Sequence, residues 1–106
     1  MLIAGEWTDA EDGSTADVLN PATGEVIATT PKATISDVEK CVAASRVALN
    51  SKDWSAMDPA QRGRVLQKMA AATYANAKSL AAIESSNNGK TFREALSEIR
   101  YGAWTL

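Results

Sequence analysis

Apolar positions along the chain change their period near residue 33. Up to that point short apolar runs alternate with turn residues; beyond it they recur every three or four positions. Leu2-Ile3-Ala4 reads as a short strand. Glu11-Asp12-Gly13-Ser14 then breaks the chain, and two extended arms follow, Thr15–Leu19 and Val26–Thr30. Between the arms Pro21 presets φ and Gly24 can take a positive φ, so the chain reverses there. Residues 1–32 are thus expected to be a strand and a hairpin, which need a covering surface to be stable in water.

Residues 33–106 are expected to form three helices. Thr34 caps the first, with Asp37 at its N3 position, and Ile35, Val38, Val42, Ser45 and Leu49 make one stripe up to about Asn50. Ser51-Lys52-Asp53-Trp54 ends this helix. The second starts with Asp58 as N-cap and Pro59 at N1, where the missing N–H costs nothing. Its buried face is read as Val65, Leu66, Met69, Ala70, Thr73, Ala77, Leu80 and Ala81, with a kink or restart at Asn76. Asn88-Gly89 stops it. Thr91 and Glu94 repeat the capping pair, and Phe92, Ala95, Leu96, Ile99, Ala103 and Leu106 form a stripe that runs into the last residue. A helix whose apolar face is still building at residue 106 reads as cut.

Composition adds mainly exclusions. Of 106 residues 45% are apolar and 23% charged, as in an ordinary globular segment, and a net charge of −2 gives no electrostatic case for nucleic acid or an anionic membrane. No window approaches a membrane-spanning length, and the N-terminus lacks a basic flank and an apolar signal core. One cysteine cannot form an internal disulfide, which fits a cytoplasmic protein. Histidine is absent, and with it the commonest general base and metal ligand.

Several pieces together carry a resemblance. Leu2-Ile3-Ala4-Gly5-Glu6-Trp7 is similar to an "INGEW" strand, and Asn20-Pro21-Ala22-Thr23-Gly24-Glu25-Val26 to an "NPATGEV" hairpin. Trp54, Met57, Pro59 and Arg62 follow a "W…M…P..R" pattern; Ala81 to Lys90 is similar to "ALET.DNGK", and Phe92-Arg93-Glu94-Ala95 with Ser97-Glu98-Ile99 to "(L)AEA…GEV". In this order and spacing they resemble the start of the NAD(P)-dependent aldehyde dehydrogenase superfamily. The resemblance implies an α/β parent fold, of which residues 1–106 are the first, incomplete part of the cofactor-binding domain: a short strand and hairpin followed by three helices, mostly α. It implies an enzyme that oxidises an aldehyde to an acid with NAD or NADP, through attack of a cysteine thiolate and a thiohemiacetal. In that family the nucleophile, the general base and the cofactor turn lie C-terminal to the matched region. No catalytic or cofactor-binding residue is therefore expected here, and neither NAD nor NADP is expected to bind the segment alone. The aldehyde would meet the missing C-terminal part of a parent that is a homodimer or homotetramer. A stand-alone helical interaction module without catalysis is the rival reading.

The remaining candidates are weighed one by one. Cys41 lies in mid-helix without a histidine or glycine-rich loop, so a partly buried packing thiol is expected and not a nucleophile. Gly89-Lys90-Thr91 lacks the first glycine and the preceding strand of a phosphate loop, and reads as a helix stop. Glu84, Glu94 and Glu98, with Arg93 and Arg100 nearby in sequence, read as a solvated or salt-bridged helix surface. Trp7, Trp54 and Trp104 are scattered and have no basic groove, so packing is expected of them. By resemblance alone, the carbonyls of Val18 and Leu19 and the carboxylate of Glu98 match a monovalent-cation site of some family members, against the plainer reading of Glu98 as a polar helix residue.

Overall fold

In the computed structural model, which describes residues 1–106, short strands come first and helices follow, as expected. The residues fall into two units, Met1–Val18 with Ala28–Met57, and Leu19–Ile27 with Asp58–Leu106.

The first unit opens with β1 (Leu2–Ile3) and β2 (Glu6–Trp7), antiparallel with Leu2 opposite Trp7 and Ile3 opposite Glu6. The two-residue turn needs positive φ at both positions, and Ala4 (54°) and Gly5 (86°) supply it. Glycine does so freely; alanine does so against its Cβ. The longer hairpin pairs β3 (Thr15–Leu19) with β4 (Val26–Pro31). At its open end the Lys32 N–H donates to the Ser14 carbonyl at 2.9 Å. Helix α1 (Ile35–Asn50) has the expected capping box of Thr34 and Asp37. Asp37 does more than cap. It is buried, and its Oδ2 also accepts from the Glu11 N–H at 3.2 Å, fixing the loop before β3 to the helix start. A single turn, α2 (Lys52–Ser55), follows where only a helix end was expected.

In the second unit the hairpin turn is closed by the Asn20 N–H donating to the Glu25 carbonyl at 2.8 Å, with Gly24 at φ 74°. Helix α3 (Pro59–Ala75) has Asp58 as N-cap, Pro59 at its start and a reciprocal bond from Gln61. Asn76 divides the expected second helix. Its backbone N–H and its side-chain amide both donate to the Ala72 carbonyl, at 3.1 and 2.8 Å, ending α3 before α4 (Ala77–Asn88) begins. Gly89 closes α4 in the left-handed conformation, and Thr91 with Glu94 caps α5 (Phe92–Thr105). Five helices thus stand where three were expected, through the extra turn of α2 and the break at Asn76.

Packing follows small residues. The buried apolar side chains are Ala10, Ala77, Ala81, Ala95 and Ala103, and alanines on α4 and α5 let those helices approach closely. The expected stripes are only partly covered. Leu66 and Met69 on α3 are exposed, as are Ile35, Val38, Val42 and Leu49 on α1. Two packing expectations require correction. Cys41 is exposed, because the two-residue strand β1 beside it is too short to cover it. Trp7, Trp104 and Trp54 are 83%, 79% and 39% exposed, and the Tyr101 ring lies tilted by 38° against Trp104 at 5.8 Å between ring centroids.

Candidate functional site

Each of the longer helices that follows a loop closes its own N-terminus. Thr34 and Asp37 do this for α1, Asp58 and Gln61 for α3, Thr91 and Glu94 for α5. A pyrophosphate binds where such N–H groups are open and a glycine-rich turn admits its oxygens. Here the N3 and N-cap N–H groups are taken, each time beside a carboxylate (Asp37, Asp58 or Glu94). The glycines serve hairpin turns (Gly5, Gly24), a loop (Gly13), helix interiors (Gly63, Gly102) and the stop at Gly89. None of the glycines forms a strand-to-helix turn at one of these helix starts.

The side chains weighed for chemistry lie in separate surroundings. Cys41 sits on α1 beside Leu2, Ile3 and Ala44, and the Asp37 carboxylate that lines a cavity with it is engaged by Thr34 and Glu11. Glu94 is spent on the cap of α5, where its Oε2 accepts from the Thr91 hydroxyl at 2.8 Å. The Arg100 guanidinium lies over the Tyr74 ring, 5.8 Å from its centroid.

The most organised polar feature lies at the turn between α4 and α5. Gly89 has φ 79°, and a Cβ there would lie 3.0 Å from the Pro21 ring, so the backbone strains any side chain there and Pro21 would have to give way to it. Next to it, the Lys90 N–H donates to Asn88 Oδ1 at 3.0 Å, and the Lys90 carbonyl accepts from Ser85 Oγ at 2.7 Å. With its backbone held at both ends, Lys90 places Nζ against the carboxylate of Glu98 on α5 and 3.4 Å from Glu84 Oε1 on α4. Asn88 Nδ2 donates to that same Glu84 oxygen at 2.5 Å. The bond to Glu98 is the main cause holding the Lys90 pKa above its ordinary value. The salt-bridged helix surface expected of these acids is present, but the part of Lys90 was not foreseen. Its signal is the spacing: a glycine stop turns α5 back along α4, so residues 84, 90 and 98 can meet.

Glu98 is also the side chain expected to bind a monovalent cation. Its Oε2 accepts from the Lys90 ammonium, and a second cation there would be repelled by the first. Val18 is half-buried within β3, and Leu19 ends that strand with its side chain exposed. No three His, Cys, Asp or Glu side chains gather into a metal-holding group. The Glu98 carboxylate is thus already paired with an ammonium.

A sequence model of the aldehyde dehydrogenase family matches residues 7–106. The chain belongs to the aldehyde dehydrogenase family. It is 43% identical over 95 residues to an aldehyde dehydrogenase of Alternaria alternata, covering 90% of this chain and 19% of that protein. It is 37% identical over 95 residues to human mitochondrial 10-formyltetrahydrofolate dehydrogenase, covering 90% of this chain and 10% of the relative. Among solved structures, an NAD-dependent aldehyde dehydrogenase from Sinorhizobium meliloti superposes with a TM-score of 0.92 at 41% identity, covering 97% of this chain and 21% of that one. The chain thus has the fold of a segment of an aldehyde dehydrogenase, and spans between a tenth and a fifth of the length of these curated relatives. No helix is long and apolar enough to cross a membrane.

Proposed function

We propose that residues 1–106 are the N-terminal part of the cofactor-binding domain of an NAD(P)-dependent aldehyde dehydrogenase, contributing scaffold and no chemistry. One observation carries this reading: nearly the whole chain superposes on a solved relative of which it spans about a fifth. The parent oxidises an aldehyde to a carboxylic acid through a cysteine thiohemiacetal, and its nucleophile, general base and cofactor turn lie outside this segment. Self-capped helix starts and the lack of a glycine-rich strand-to-helix turn support a segment that binds neither NAD nor NADP by itself. The parent is a cytoplasmic homodimer or homotetramer that engages neither nucleic acid nor membrane, in keeping with a net charge of −2 and a single cysteine.

The test compares two proteins. The 106-residue chain, incubated with NAD or NADP and a panel of aldehydes, should produce no reduced nicotinamide above a buffer blank. The product of the reading frame extended beyond Leu106 should produce it. Turnover by the short chain, or an authentic stop codon after Leu106, would refute the proposal, and the stop would favour a stand-alone interaction module.

A further inference from the structure

The clasp of Glu84, Lys90 and Glu98 is the one place where a single ammonium meets two carboxylates from two helices. Lys90 does not reach its partners by chance of rotamer. Asn88 and Ser85 fix its backbone, Gly89 seats the turn against Pro21, and the stem leaves from there toward α5. The side chain of Lys90 is 27% exposed against 60% for Glu98, so the cation is the inner member of the pair. Glu84 Oε1 is shared between Asn88 Nδ2 and the ammonium, whose closer partner is Glu98. An ammonium group and a potassium ion carry the same charge and are similar in size, and both are satisfied by oxygen ligands.

Within the enzyme segment proposed above, we infer that the Lys90 ammonium holds the place at Glu98 that a free monovalent cation would take. The tethered cation makes this corner of the fold independent of salt composition. It also joins the end of α4 to the middle of α5 without requiring an ion from solution.

Melting temperatures of the full-length parent in potassium, sodium and choline chloride at equal ionic strength test this. The natural sequence is compared with Lys90→Met, Lys90→Arg, Glu98→Gln and the double variant Lys90→Met/Glu98→Gln. The natural protein and Glu98→Gln should show the same difference between potassium and choline. Lys90→Met should melt lower in choline, by about 1 °C or more, and recover in potassium or sodium. Adding Glu98→Gln should abolish the recovery, and Lys90→Arg should behave as the natural protein. Stabilisation of the natural protein by potassium that Glu98→Gln removes would overturn the inference, and this comparison decides the matter even if Lys90→Met does not fold. A Lys90→Met protein whose melting is unmoved, or whose loss neither cation recovers, would overturn it too, leaving an ordinary surface ion pair. Because the readout is melting and not turnover, an inactive parent would count against the enzyme reading alone.

Discussion

Separated from any covering polypeptide, the 106-residue chain should not melt cooperatively as a monomer. Its buried apolar side chains are five alanines, and no large side chain is fully buried. Twenty large apolar residues stay at least a third exposed, from Leu2 to Leu106. Full burial of such a side chain contributes about 1.5–3 kcal/mol, and these residues forgo roughly half of it. The stabilisation left unclaimed is on the order of 20 kcal/mol, more than the ~5–15 kcal/mol that separates folded from unfolded in a typical domain. The final helix shows the deficit most plainly, with Tyr101 and Trp104 65% and 79% exposed while Ala95 and Ala103 are buried. Calorimetry and sizing at several concentrations, with amide NMR, provide the assay. Broad or absent heat absorption, association that grows with concentration and poorly dispersed amide signals are expected. A sharp two-state melt from a monodisperse monomer would refute the reasoning and favour a self-contained module.

Three further outcomes are expected in the full-length parent. Ala4→Asn should stabilise by about 1 kcal/mol, since Ala4 holds φ 54° in a two-residue hairpin turn that suits asparagine; an unchanged or lower denaturation midpoint would count against strain at this turn. Backbone hydrogen bonds from Thr34 and Glu11 hold the Asp37 carboxyl below the usual carboxylate range, so the stability it contributes is present above that range and is lost as pH falls through the lowered value. Melting curves of the natural protein and Asp37→Asn should therefore differ at neutral pH and converge in acid; a constant offset down to the lowest pH would show that the charge is immaterial. Cys41→Ala should leave turnover per folded molecule intact and change stability by no more than about 0.5 kcal/mol, because the thiol is exposed; loss of catalysis by orders of magnitude would give it a chemical role.

Local signals in the sequence proved the most legible. Thr34 with Asp37, Asp58 with Pro59, Thr91 with Glu94, and Gly89 all do in the structure what their residue types require at a helix end. Each is settled within a few residues, by one side chain meeting backbone groups that helix geometry leaves open. Asn76 belongs with them, since its amide competes for the Ala72 carbonyl and halts α3. Burial was read less well, because it depends on polypeptide far away in sequence. The period of Ile35, Val38, Val42 and Leu49 correctly marks a helix, but periodicity cannot say whether anything lies against that face. The same limit put Cys41 and three tryptophans inside when they are outside.

The charge clasp shows why a site can be harder to read than the elements that build it. Glu84, Lys90 and Glu98 each look like solvated helix residues when taken singly, and charge on a helix usually means that. What distinguishes them is a turn whose shape is fixed by a glycine at positive φ, and two backbone bonds that aim one lysine at two carboxylates. The alanines at 77, 81, 95 and 103 belong to the same device, since only small residues bring α4 and α5 close enough for Lys90 to touch both. Replacing Ala81 or Ala95 by a larger residue would push the helices apart, at a cost of about 1–3 kcal/mol for overpacking. Lys90 would then have to release one of its partners. The salt response of the parent is therefore tied to packing that never touches an ion, and an Ala95→Leu variant that still folds should gain a potassium dependence that the natural protein lacks.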